Sequence, residues 1–183
     1  MANILKIFLF ISIALAVVGN YETSASCVAV TTMANLNFSK FASGTWYAIK
    51  GGRDLFFGTG HCAKIAYSTS SMNITVDRFP SFKFPYTVNN NVMTFSKTVS
   101  QIYLNVSMNT YVLDTDYDNY AVLYGCGEFA STMLGIKTAV GIPLVLSRQS
   151  TLDSSFSAKV DTALSNNKLK SSSLNTAFKA CSN

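Results

Sequence analysis

The chain has one histidine, His61, no Cys-x-x-Cys pair, no run of lysines or arginines, and no long apolar stretch after its first twenty residues. Each absence excludes something. A Ser-His-Asp arrangement would have to use His61, and no nucleophile motif surrounds any serine. The widely spaced cysteines Cys27, Cys62, Cys126 and Cys181 speak against a zinc site and against a redox motif. Lys50, Arg53, Lys64, Arg78, Lys83, Lys97, Lys137 and Arg148 stand singly, whereas nucleic-acid binders cluster their cations. The formal net charge of +5 therefore reads as a soluble basic surface. With no repeats and no low-complexity linker, one domain is expected. No enzyme, metal site or required cofactor is expected either, and a membrane-spanning helix is not.

What is present begins with Lys6 and the apolar run Ile7 to Val18. That run is too short to span a bilayer and suits the core of a signal peptide. Residues 1–26 are read as a signal, cleaved between Gly19 and Ser26, and 27–183 as the secreted domain. An even number of cysteines in such a chain argues for two disulfides, with three connectivities open.

Period-two runs follow one another between turn residues: Thr45 to Lys50, His61 to Tyr67, Met72 to Arg78, Val92 to Val99, Gln101 to Met108, Thr110 to Leu113, Tyr120 to Cys126 and Val140 to Ser147. Eight strands with short connections predict an all-β, up-and-down antiparallel barrel. Leu152, Phe156, Val160 and Leu164 then recur at helical spacing, so one amphipathic C-terminal helix is expected outside the barrel. Ser150, Thr151 and Asp153 offer caps, and Asn166-Asn167 a stop. A short strand-like piece, Leu174 to Phe178, precedes Cys181. Asn37, Asn73 and Asn105 stand in Asn-x-Ser/Thr sequences as candidate glycosylation sites, and alternation turns Asn73 and Asn105 outward.

Gly44-Thr45-Trp46 resembles the first motif of the lipocalins, Thr115-Asp116-Tyr117 the second, and Arg148 after the last strand the third. The cysteine placement resembles the insect bilin-binding and nitrophorin-like branch. By that resemblance Cys27 pairs with Cys126, and Cys62 with Cys181. Trp46 fills the narrow end, Arg148 lies over its indole and satisfies carbonyls, and Gly44 allows a tight turn. These residues close the cup and are not a ligand site. A nitrophorin-like haem ligand would sit on a mid-barrel strand, where this chain has no histidine.

The predicted cavity wall is His61, Ile65, Tyr67, Ile74, Val76, Phe95, Ile102, Leu104, Val106 and Met108. An eight-stranded barrel is wide enough either to be filled by side chains or to hold one small ligand. His61, Tyr67 and Arg78 are expected near the mouth as polar contacts. Leu55, Phe56 and Phe57 lie in a glycine-flanked mouth loop. Phe79, Phe82, Phe84 and Tyr86 form a second aromatic cluster, expected at the closed end, and the 131–141 segment reads as a mouth loop. The resemblance implies a secreted carrier of a small hydrophobic ligand: a bilin-type pigment, a fatty acid or another lipid. A salivary anti-haemostatic lipocalin, inhibiting a host protein or sequestering a small mediator, is the alternative.

Overall fold

Gly44 carries the chain into its first strand with φ at +67°, a backbone conformation that favours glycine. The structure is a computed structural model, and it describes residues 27–52, 60–100, 103–133, 135–174 and 176–182. Its elements are α1 (Phe38–Ala42), β1 (Thr45–Gly51), β2 (Ala63–Tyr67), β3 (Ser71–Val76), β4 (Phe82–Pro85), β5 (Thr87–Asn89), β6 (Val92–Val99), β7 (Leu104–Thr115), β8 (Tyr120–Ser131), β9 (Ile136–Ser147), α2 (Ser157–Asn166) and β10 (Thr176–Ala177). The signal segment, Arg53 to Thr59 and Ile102 lie outside the described residues, and so do Leu55, Phe56 and Phe57.

Hydrogen bonding runs in the order β4-β3-β2-β1-β9-β8-β7-β6-β5, with β10 beside β1. Every pairing is antiparallel. The two ends of this path, β4 and β5, are separated in the chain by Tyr86 alone. Nine strands thus form the wall, not the expected eight. The separate strands expected at 101–108 and 110–113 are one, β7, and β4 and β5 were not expected. Asn109, read as a break, stays in the ladder because its side chain accepts from Thr94 Oγ1 at 2.9 Å across the strand pair.

The registers define two ends. Residues 68–70, 90–91 and 116–119 turn at the end where β1 starts, beneath which α1 lies. Residues 77–81, 100–103 and 132–135 turn at the other, open end. Two expectations fail here. Phe79 and Phe82 belong to the open end, because β3 runs from the closed end to the open one. The segment 131–141 is mostly strand, and Gly141 sits within β9, where a Cβ would meet the Tyr124 hydroxyl at 2.1 Å.

Burial falls into two clusters. Inside the wall lie Phe41, Trp46, Ala48, Ile65, Tyr67, Val76, Met93, Val112, Leu123 and Leu146. Outside, α2 covers Leu113, Tyr120, Val122, Tyr124 and Val145 with Val160, Ala163 and Leu164. β8 is therefore buried on both faces over Tyr120 to Tyr124, a stretch with no charged residue. Full burial of each such Val or Leu side chain contributes about 1.5–3 kcal/mol. Asp153 caps the single 3-10 turn before α2 by accepting from Ser155 N at 2.8 Å. Cys27–Cys126 ties the N-terminal arm to β8, and Cys62–Cys181 ties the tail to the start of β2, closing separations of 99 and 119 positions.

Candidate ligand site

The floor of the barrel is built where the segment from α1 into β1 meets the turn after β7 and the end of β9. Trp46 is fully buried, stacks on Phe41 at 5.6 Å between centroids and donates from Nε1 to the Phe41 carbonyl at 2.9 Å. The Arg148 guanidinium lies 3.5 Å from the indole centroid. It donates to the carbonyls of Tyr117 (2.9 Å), Thr45 (3.1 Å) and Phe41 (3.2 Å). In the turn after β7, Asp116 Oδ1 accepts from Asp118 N (3.2 Å), Asn119 N (2.8 Å) and Tyr120 N (3.1 Å). Those bonds outweigh the upward effect of its partial burial and hold the carboxyl below the ordinary aspartate range. Thr115 Oγ1 accepts from Tyr117 N at 2.9 Å and donates to the Tyr120 carbonyl at 2.6 Å. Most polar groups here bind backbone, and Asp116 Oδ2 also accepts from Asn119 Nδ2 at 2.8 Å, so these bonds hold the chain together at this end.

Above the floor is a cavity of about 10 Å3 between Tyr67, Met72, Tyr86, Met93, Phe95, Met108 and Thr110. It has room for about one water molecule. Three cross-strand pairs supply most of the lining: Tyr67 with Met72, Met93 with Thr110, and Phe95 with Met108. Tyr86, between β4 and β5, completes it; its N–H donates to the Ser70 carbonyl at 2.9 Å and its hydroxyl to the Ser68 carbonyl. The cavity thus lies behind the one seam of the wall where no ladder bonds run, between β3–β4 and β5–β6. Side chains bridge that seam, with Phe84 edge-on to Phe95 at 5.8 Å.

Tyr67 is the unusual member. It is 8% exposed and packs its ring on Phe41 at 5.0 Å. Burial, and then the neighbouring Tyr86, push its phenol above the ordinary tyrosine range. Among the described residues its hydroxyl makes no hydrogen bond. Among the described residues no charged side chain lines the cavity.

The predicted wall is met in part. Tyr67, Phe95 and Met108 line the cavity. Ile65 and Val76 are buried inside and Ile74 packs against them, at a level nearer the mouth or floor than the cavity itself. Val106 is half-buried on the face that Met108 shares, and Leu104 opens β7 at the mouth. Sequence reasoning missed Met72, although its alternation with Ile74 and Val76 was seen, and also Met93, Thr110 and Tyr86. Tyr67 is at the closed end of β2, not at the mouth. His61 lies outside β2 altogether. Its Nδ1 is 3.2 Å from Asp77 Oδ1 and its ring meets Phe79 edge-on at 5.3 Å, so it belongs to the rim and not to the cavity. Asp77 also accepts from Cys62 N at 2.8 Å. Arg78 is exposed in the open-end turn at φ +69°.

A second, open concavity of about 250 Å3 lies outside the barrel, between Cys62, Lys64, Thr75, Asp77, Lys179 and Ser182. Asn37, Asn73 and Asn105 are all exposed. Asn37 accepts from Lys40 N at 3.0 Å as the cap of α1, and Asn105 accepts from Thr98 Oγ1 at 2.8 Å. Among the described residues no group of three or more His, Cys, Asp or Glu could hold a metal ion, and no helix is long and apolar enough to cross a membrane.

No family model matches the chain, and no curated protein matches it. Solved structures do match. A mutant of LTBP1 in complex with leukotriene C4 is 23% identical over 72% of this chain and 83% of that one, with a TM-score of 0.52. Apocrustacyanin C1 is 16% identical over 80% of this chain and 81% of that one, with a TM-score of 0.50. Lobster apocrustacyanin A1 is 14% identical over 84% and 92%, also at 0.50. These structures are lipocalins, and the chain has the lipocalin fold.

Proposed function

We propose that this protein is a secreted carrier that binds one small, neutral, apolar ligand inside the barrel, with the Tyr67 hydroxyl as the polar contact. The carrying observation is that hydroxyl: it belongs to a residue only 8% exposed that lines the cavity, and among the described residues it makes no hydrogen bond. A ligand acceptor there would gain a hydrogen bond worth about 0.5–1.5 kcal/mol. Neutrality follows from the lining, since a carboxylate or an ammonium would meet no opposite charge there. A fatty acid or a bilin would have to leave its carboxylates at the mouth. A neutral lipid with a carbonyl, hydroxyl or ether oxygen fits better. Residues 1–26 act as the secretory signal, and the two disulfides suit that route.

The cavity must enlarge, because pockets for organic ligands hold about 300–1,000 Å3. Met72, Met93 and Met108 make this inexpensive: each is unbranched, with three rotatable bonds and a soft thioether. The seam behind them carries no ladder hydrogen bonds to break. That this fold can open far enough to hold an organic molecule is supported by the LTBP1 structure, which holds leukotriene C4.

Native mass spectrometry and an absorbance spectrum of protein from its own source should show one bound organic molecule. Recombinant protein should take up a neutral fluorescent lipid probe, and Tyr67→Phe should weaken uptake about fivefold to tenfold while leaving stability intact, one lost hydrogen bond's worth. A ligand-free natural protein that also refuses the probe would end this reading. Equal uptake by Tyr67→Phe would remove the hydroxyl from it.

A further inference from the structure

We propose that the open end of the barrel docks on an anionic lipid surface. Among the described residues, the large apolar side chains left exposed are Phe79 (46%), Phe82 (38%), Tyr103 (65%), Met133 (62%) and Val28 (44%). All but Val28 lie at the open end. Phe79 lies in the turn between β3 and β4 and Phe82 opens β4, Tyr103 belongs to the turn between β6 and β7, and Met133 to that between β8 and β9. Three turns that are far apart in sequence thus present apolar tips in one direction. Single exposed apolar residues are ordinary, but convergence at one pole marks an interaction surface.

The charges identify the surface it fits. Lys50, Arg78, Lys83, Lys97, Lys137 and Lys179 are exposed in the open half, set back along the strands from the apolar tips. Among the described residues, the acids facing them there are Asp77, already engaged by Cys62 N and His61, and Glu128. Asp114, Asp116, Asp118, Asp153 and Asp161 lie at the closed end or along α2. Apolar tips ringed by cations match a bilayer interface, where rings and thioethers enter the headgroup layer and lysines meet anionic lipids. A protein partner for such a cationic pole would have to be acidic and rigid in shape. An anionic bilayer supplies the charge and needs no matched shape, so separate apolar tips suit it better. The inference stands on the rim alone and does not depend on what occupies the barrel.

The test is sedimentation of the full secreted chain, disulfides intact, with phosphatidylcholine vesicles and with vesicles carrying about 30 mol % phosphatidylserine. The wild-type protein should bind the anionic vesicles at about 0.05 M salt and release them at about 0.5 M, where screening is short-ranged. The double variant Tyr103→Ser, Met133→Ser should lose at least about tenfold in partitioning. Lys83→Gln with Lys137→Gln should lose about 25-fold, since each cation near such a surface contributes about 1 kcal/mol. Probe uptake without vesicles is measured on the same proteins and should not change, which separates this outcome from any failure of the carrier reading. No binding by the wild type, or equal binding by both double variants, overturns the proposal. So would concentration-dependent dimerisation in sedimentation velocity that Tyr103→Ser, Met133→Ser abolishes, for the rim would then belong to a second copy.

Discussion

Trp46→Ala should destabilise this protein far more than Phe95→Ala, and the difference can be worked from their surroundings. Trp46 is fully buried, stacked on Phe41 and covered by Arg148 at 3.5 Å. Truncating such a ring in a core costs about 3–5 kcal/mol. The guanidinium also loses an aromatic face worth about 1 kcal/mol at a partly desolvated site. The Phe41 carbonyl is not stranded, because it still accepts from Arg148 Nη2 at 3.2 Å. The total is about 4–6 kcal/mol. Phe95 is half-buried, touches Phe84 edge-on and borders the cavity, so part of its surface already lacks neighbours. Its truncation should cost about 1–2.5 kcal/mol. With a urea slope of about 2 kcal/mol per molar, the midpoints should fall by about 2–3 M and about 1 M respectively. Urea unfolding with the disulfides intact reads both. Equal losses would mean that Phe95 is locked in a rigid core that cannot rearrange, and the enlargement of the cavity on which the carrier reading depends would be refuted.

Much of the fold was legible because the closed end needs specific residue types. Trp46, Arg148 and Asp116 lie far apart in sequence, yet each holds backbone groups that demand a particular side chain, so three short motifs mark one end of the fold. The cysteine pairing came through resemblance and agrees with the structure. The strands β4 and β5, between Phe82 and Asn89, were hidden by Pro80 and Pro85, which read as turn residues. Proline is tolerated here because β4 pairs on one side only, leaving an N–H position that the ladder does not need. The split of β7 at Asn109 had the opposite cause: a polar residue that looks like a turn was satisfied across the strand by Thr94.

The site was less legible, and the reason is geometric. Alternation tells which face a residue takes; it does not tell how far along the barrel it sits or whether its neighbours fill the space. Tyr67 was assigned to the correct face and the wrong end, since the direction of β2 places it beside Phe41. His61 failed because alternation was carried two residues beyond the start of β2, where the chain is no longer strand and Asp77 holds the ring. Met93 and Thr110 became lining residues only through their register with each other. Nothing in a single strand's pattern reveals a partner, and the exposed tips at the rim converge only once three hairpins are assembled.

Two further outcomes test the closures at either end. Replacing Cys62 and Cys181 with serine frees a segment that the bridge closes over 119 positions, so stability should fall by up to about 4–5 kcal/mol from loop entropy; peptide mapping of the native protein should recover Cys62 joined to Cys181 and Cys27 to Cys126. Asp116 makes a pH-dependent contribution at the other end. Its carboxylate accepts from three backbone N–H groups and from Asn119 Nδ2 at 2.8 Å, and its folded-state pKa lies below the ordinary aspartate value. A depressed pKa means that the unfolded chain binds the proton more readily, so this stabilisation is complete above the ordinary range and fades as pH falls through the folded value. Because the turn is largely open to solvent, screening limits it to about 1 kcal/mol. Asp116→Ala should therefore unfold at lower urea than the wild type at pH 7, and the gap should narrow steadily below about pH 4. If the gap were unchanged down to about pH 2, the carboxylate's charge would have no part in holding the turn, and its contribution would lie in the neutral geometry of the side chain alone.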